Sequence, residues 1–248
     1  MDHAILAVFP LTGTLINVVT VIVGTAVGVS LEHRLPERMR ETVMSALGII
    51  TLSVGFNSAL EMFRPPLSTL TRASVLMIMG SVLVGAIGGE LLRIEDGLAS
   101  LGDRLKRRFG DDQARFTEGF VVASLVFCVG PLTILGSIQD GLTGDYQLLA
   151  IKSLLDGFGA LAFASALGWG VGFSVITILV YQGALSLSAT ALAGAFSDAM
   201  IAAMSAVGGI LIIGIGLRLL SLREVRVANL LPALVLAPAA VAALEALR

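Results

Sequence analysis

Eight stretches of about twenty mostly apolar residues follow one another along the chain, each long enough for an α-helix to cross the hydrocarbon core of a bilayer. They lie at 11–31, 41–62, 70–92, 117–138, 148–167, 171–189, 199–220 and 229–247. In lipid every backbone N–H and C=O must find its partner within the structure, and for segments of this length the helix does that. Soluble domains hold about 25% charged residues. This chain holds 14%, is 56% hydrophobic before its 28 glycines are counted, and has a mean hydropathy of +0.94. The fold class expected is an all-α polytopic transmembrane helical bundle of about 8 spans. Residues 1–248 form a single integral membrane domain, with the lipid bilayer as its first partner.

One interval breaks the pattern. Between the third and fourth spans, Ile94, Leu98, Leu101, Leu105 and Phe109 recur at helical spacing among charged residues such as Glu95, Asp96, Arg104 and Arg107. That is the signature of an amphipathic helix lying on a membrane surface, over 94–115, with a plain charged linker as the alternative. The domain then divides into spans 1–3 (1–93), this surface helix (94–115), a central hairpin (116–170) and spans 6–8 (171–248).

Charge and composition exclude other classes. A net charge of −2 offers no footprint for nucleic acid. The single cysteine, Cys128, rules out a disulfide framework and a thiolate zinc site, and the only histidines, His3 and His33, lie outside the spans. No cofactor and no metal site are expected, and no nucleotide-binding motif is present. Met1-Asp2-His3 has no positive n-region, so the first apolar stretch reads as a span rather than a signal peptide.

Lysine and arginine set the orientation. Twelve fall in the loops after spans 1, 3, 5 and 7, against four on the other side: Arg64, Arg72, Lys152 and Arg248. Both chain ends are therefore expected outside. The turn near Trp169 and the stretch 186–197 are the weak points, because a re-entrant segment there would flip the C-terminus. A faint repeat accompanies this topology. Met44-Ser45-Ala46-Leu47-Gly48 matches Met204-Ser205-Ala206-Val207-Gly208, 160 positions on, and Gly13 and Gly24 match Gly172 and Gly183. Spans 1–3 and 6–8 would then be inverted repeats, the plan of many secondary transporters, unless common small residues coincide.

Polar residues inside spans carry the functional reading, since an ionisable group at the helix centre costs about 2.5–3.5 kcal/mol on insertion scales. Gly130-Pro131 should break span 4, freeing carbonyls near Phe127 and Cys128 and aiming a new helix N-terminus at the same point. Such breaks line transporter sites, though a packing kink has the same sequence. Thr133, Ser137, Gln139 and Asp140 follow the break. Lys152 and Asp156 stand four apart on one face of span 5. Asn17 in span 1 and Gln182 in span 6 complete the candidate substrate- or ion-binding set. The competing reading is a structural lock, Lys152 paired with Asp156 or with Asp140. Asn57, Glu61 and Glu90 read as helix contacts or interfacial groups. The glycine rows Gly24/Gly28 and Gly208/Gly209 with Gly214 read as close-packing faces, serving a tight bundle or a homodimer.

The segment Gly130 to Gly141, the following Lys152-Ser153-Leu154-Leu155-Asp156-Gly157, the opening Gly13-Thr14-Leu15-Ile16-Asn17-Val18 and Tyr181-Gln182-Gly183 together resemble the YqgA/YdfK-like family of bacterial inner-membrane proteins. The resemblance covers nearly the whole chain. It implies a multi-pass protein of the bacterial inner membrane, often labelled a transporter, and supplies no substrate.

The function expected is a secondary transporter or ion-conducting protein for a small solute, cationic or proton-coupled, and not an enzyme. A non-transporting scaffold or sensor using the basic surface helix is the main alternative. An intramembrane aspartyl protease using Asp140 and Asp156 is a weaker one, because the chain lacks the motifs of that class.

Overall fold

A computed structural model describes residues 11–32, 36–71, 73–109, 115–192, 194 and 196–247. His3, His33, Arg72 and Arg248, used above, lie outside the described residues. Every regular element described is helical. In order they are α1 (Thr12–Glu32), α2 (Glu37–Ala59), α3 (Leu67–Leu70), α4 (Ser74–Leu92), α5 (Ile94–Phe109), α6 (Phe116–Cys128), α7 (Pro131–Thr143), α8 (Gln147–Leu167), α9 (Val175–Leu187), α10 (Ala189–Leu192), α11 (Asp198–Leu219) and α12 (Ala233–Ala246). Short 3-10 segments, at Leu60–Phe63, Gly168–Ser174 and Val227–Leu230, join α2 to α3, α8 to α9, and α11 to α12.

By length and apolarity, six helical stretches are fit to cross a membrane, or seven if the bent α6–α7 pair is one span. The sequence predicted about eight, and once the bent pair is counted as one span the remaining difference has one source. The expected spans 148–167 and 171–189 run together as a single helical stretch, Gln147–Leu187. Alone, α9 has 13 residues, about 20 Å, too short for a core of about 30 Å. The chain nevertheless turns back within that stretch. A Cβ on Gly13 would meet Leu149, and one on Gly28 would meet Leu161 and Ala164, so α8 runs parallel to α1. Asn17 meets Gln182 while Gly172 lies against Thr25, so α9 runs antiparallel to it. Gly168, at φ 75° and ψ −159°, makes the reversal with a backbone that only glycine adopts readily.

Two groups of helices result. In one, α1, α8 and α9 surround α6 and α7. In the other, α2 packs antiparallel on α11, through Gly48 against Leu220 and Gly55 against Gly209 and Ile213. There α4 also packs antiparallel on α12, through Gly85 against Ala233. The ends of α1, α4, α8 and α11 and the starts of α2, α6 and α12 share one face of the bundle, which carries most of the arginines. The start of α1 marks the opposite face.

The glycine rows proposed for a dimer are occupied within the chain. A Cβ on Gly24 would sit 2.2 Å from the Gly157 carbonyl oxygen, and one on Gly28 would sit 2.3 Å from that of Leu161. Gly209 lies equally close to Ala59 N, while Gly208 and Gly214 face Val129 and Val227. These faces bring α1 onto α8 and α2 onto α11, the tight-bundle alternative of that reading.

The charged interval is helical over Ile94–Phe109, and 110–114 lie outside the described residues. Arg93 ends α4 in the left-handed conformation, φ 52°, and α5 begins one residue later. Its apolar side packs on the start of α6, where Gly102 meets Thr117 and Phe120. Thr117 donates a 2.5 Å hydrogen bond to Asp103.

Candidate functional site

The break at Gly130 organises the site. Gly130 takes φ 154° and ψ 153°, α7 starts at Pro131, and the two helices meet at a bend of 64°. A proline cannot donate to the preceding turn, and only a residue without a Cβ tolerates that φ/ψ. Of the carbonyls that such a break frees, Phe127 O accepts from Thr133 Oγ1 at 3.5 Å, the far limit of a hydrogen bond. Thr133 thus ties the two halves of the broken helix together.

Four of the predicted residues converge. Lys152 and Asp156 form an ion pair one turn apart on α8, buried to 6% and 8% residual exposure. Asn17, fully buried on α1, donates from Nδ2 to Asp156 Oδ2 at 2.9 Å and to Gln182 Oε1 at 3.2 Å. Helices α1, α8 and α9 are therefore joined by one polar chain, Lys152–Asp156–Asn17–Gln182. An ion pair removed from water is stable only if further hydrogen bonds satisfy it, and Asn17 supplies one.

Asp140 stands apart from that chain. It is fully buried near the end of α7, and its Oδ2 accepts from the backbone N–H of Leu11 at 3.2 Å, at the start of α1. The Gly13 amide faces the same carboxylate. A carboxylate at a helix N-terminus meets unpaired N–H groups and the positive end of the dipole. Of the two locks considered from sequence, Lys152 forms the one with Asp156, while Asp140 caps α1. Ser137, one turn before Asp140, is fully buried, with no partner for its hydroxyl among the described residues. Gln139 turns away and donates to Asp145 Oδ2 at 2.8 Å in the loop before α8.

Residues that the sequence reading left out of the site complete the layer. Thr14 sits one turn before Asn17, and Ser186 one turn after Gln182, both buried and without a hydroxyl partner. The sequence places Thr14 on the same face as Asn17, and spacing alone, i+4 from an intramembrane amide, could have found Ser186. Toward the opposite face, Ser124 and Thr177 share a 2.9 Å hydrogen bond, and Thr25 and Ser174 are buried with no partner for their hydroxyls among the described residues. Beyond them a cavity of about 270 Å³ opens on the arginine-rich face, lined by Glu41, Glu118, Arg115 and Arg218 among others.

A second polar cluster, distant from this layer, also escaped the sequence reading. Glu95 accepts from Arg218 at 2.9 Å and from the Ala228 amide at 2.7 Å, and its own N–H donates to Asn229 Oδ1 at 2.8 Å. Glu90, read as an interfacial group, accepts from Arg226 and Asn229 at 2.5 and 2.6 Å. These bonds hold the α4–α5 turn against the start of α12. Glu61 pairs with Arg64 at an exposed end.

Known proteins match along nearly the whole chain. It is 32% identical over 230 residues to "Uncharacterized protein YqgA" of Escherichia coli (strain K12), covering 91% of this chain and 94% of that one. It is 28% identical over 234 residues to "Uncharacterized membrane protein YdfK" of Bacillus subtilis (strain 168), covering 94% and 97%. No solved structure matches it. The model of the family described as "Protein of unknown function (DUF554)" matches residues 12–242, and this membrane protein belongs to that family.

Proposed function

We propose that the protein is a secondary transporter or ion-conducting protein for a small solute, cationic or proton-coupled, in the bacterial inner membrane. The observation that carries the reading is the buried Lys152–Asp156 pair and its link through Asn17 to Gln182. Charged groups within membrane-spanning helices are costly and mark ion or substrate pathways. The discontinuous α6–α7 segment beside them is the kind of element from which transporter sites are built.

The element order supports the same reading. A shift of 160 positions carries α2 onto α11, the first two thirds of α4 onto α12, and α1 onto the 172–192 segment containing α9. Each of those pairs packs antiparallel, as inverted repeats require. The arginine-rich face would be cytoplasmic under the positive-inside rule, which puts both chain ends outside. The two carboxylates also have separate partners, Asp140 on the α1 N-terminus and Asp156 on Lys152 and Asn17. An aspartyl protease asks for two carboxyls sharing a proton, and these separate partners weigh against that dyad.

The test is flux. Purified protein in sealed liposomes is screened for charge movement with cations, anions, amino acids and pH steps, beside Asp156→Asn. A wild-type signal missing in a folded Asp156→Asn variant supports transport and names the solute class. Silence across the panel with correctly inserted protein would overturn it and leave the Lys152–Asp156 pair as a lock.

A further inference from the structure

We infer that the polar layer holds one dehydrated monovalent cation, of the sodium type, at its Asp140 end, between α1, α7 and α9. The inference deepens the transport reading and rests on it for the use made of the ion. Among the described residues, eight buried side-chain atoms lack a hydrogen-bond partner, and six belong to this layer. They are Thr14 Oγ1, Asn17 Oδ1, Ser137 Oγ, Asp140 Oδ1, Gln182 Nε2 and Ser186 Oγ. Buried polar atoms in native structures are nearly always paired, so a concentration of this kind asks for a ligand.

Position brings them together. Thr14 and Asn17 are i and i+3 on α1, Ser137 and Asp140 are i and i+3 on α7, and Gln182 and Ser186 are i and i+4 on α9, so each pair shares a helix face. Leu11 N bonds Asp140, Asn17 bonds Gln182, and a Cβ on Gly141 would lie 2.0 Å from Ser186 O. Those three contacts put the three helices against one another within about 9 Å of depth along α1, near the face where α1 begins.

Charge and donor type name the ligand. Lys152 compensates Asp156, which leaves Asp140, among the described residues, as the one buried carboxylate of the layer without a cationic partner. Among the described residues its Oδ1 is bare, and its Oδ2 accepts from the Leu11 N–H. One negative charge balances one positive charge, whereas a divalent ion would leave the layer positive. Five of the six unpartnered atoms are oxygens of hydroxyl, amide and carboxylate type, the donor set of a hard cation. No group of three or more His, Cys, Asp or Glu with metal-holding geometry occurs among the described residues. Close contact of α7 with α9 at Gly141 favours a small ion. Asn17 belongs to both halves of the layer, with Oδ1 toward the cation and Nδ2 on Asp156, so it is the positioning residue that couples the ion to the Lys152 pair.

Full-length protein in detergent, in buffer balanced with N-methyl-D-glucamine, is titrated with NaCl, LiCl, KCl, choline chloride, MgCl2 and CaCl2 at constant ionic strength. Thermal midpoint and titration heat are read together. The expected result is a saturable rise with sodium or lithium, absent with choline and not reproduced by the divalent salts. Thr14→Val, Ser137→Ala and Ser186→Ala should each need about tenfold or more sodium for the same rise, and Asp140→Asn should lose it. The three small substitutions keep the test open if Asp140→Asn does not fold. Absence of a sodium- or lithium-specific rise in folded wild type, or variants that titrate as wild type does, would overturn the site. Saturable sodium binding in protein that moves nothing across liposomes would instead overturn transport and leave the site standing.

Discussion

Asn17 on α1 donates its side-chain amide to Asp156 on α8, 139 positions away, at 2.9 Å. Because the same nitrogen also reaches Gln182 on α9, one amide holds three helices in register inside a wall of apolar side chains. Elsewhere the α1–α8 contact is made by glycines packed against backbone. Asn17 is thus the specific element in an interface that is otherwise built on shape.

Replacing Asn17 with Leu should leave the Asp156 carboxylate and the Gln182 oxygen each short of a donor in a buried setting. An unmade buried hydrogen bond costs about 1–3 kcal/mol, and more where a charged group is involved. We expect a lower thermal midpoint in detergent together with loss of flux. A variant as stable and active as wild type would sink this account of the polar chain.

The glycines divide into two classes with opposite expected effects. A Cβ on Gly24 would fall 2.2 Å from a backbone oxygen of α8, which cannot move without moving the helix. Gly24→Ala should therefore destabilise the fold or abolish its assembly. Gly80 and Gly88 on α4 have nothing within 4 Å, so alanine there should gain about 0.5–1 kcal/mol from helix propensity alone. Thermal melts of the three single variants, read side by side, check the contrast.

Much of the bundle is legible in the sequence because lipid leaves few alternatives to a twenty-residue apolar helix. The break at Gly130-Pro131 is legible for the same kind of reason, since Pro131 has no N–H. The joining of α8 and α9 is not, because Gly168–Ser174 carries no charge to mark an end. Asn17, Lys152, Asp156 and Gln182 stand out as polar residues in apolar runs. Thr14 and Ser186 do not, since a helical hydroxyl commonly bonds back to its own turn, as Ser153 does to Leu149. The partner of Asp140 is a backbone amide, and no residue pattern encodes that.

The Glu95 cluster yields a prediction away from the site. Glu95 joins Arg218 and the Ala228 amide to the first turn of α5. Glu95→Ala should loosen α5 from the bundle without disturbing the spans. Amide hydrogen exchange over 94–109 should rise while α6, α8 and α11 stay protected. Unchanged exchange in α5 would mean that its apolar contacts with α6 hold it unaided.

Gly130 offers a direct handle on the break. With φ at 154°, any residue carrying a Cβ is strained by about 1–3 kcal/mol. Gly130→Ala should lower the thermal midpoint accordingly. Combined with Pro131→Ala it should let α6 and α7 approach one continuous helix, with a gain in helical signal by circular dichroism and a loss of flux. Full flux in the double variant would show that transport does not need the discontinuity.

A double-mutant cycle at 152 and 156 separates a lock from a working site. Lys152→Met alone strands a buried carboxylate and should cost about 3–5 kcal/mol, as removal of one partner of a buried pair does. Asp156→Leu alone strands the ammonium and should cost a comparable amount. The double variant removes both charges and leaves two apolar residues of similar volume, a change that is often neutral or stabilising. Its stability should therefore return to near the wild-type value, with a coupling energy far outside additivity. If the pair only pins helices, flux returns with stability. If the carboxylate handles the solute, the double variant is folded, stable and silent, which is the outcome expected here.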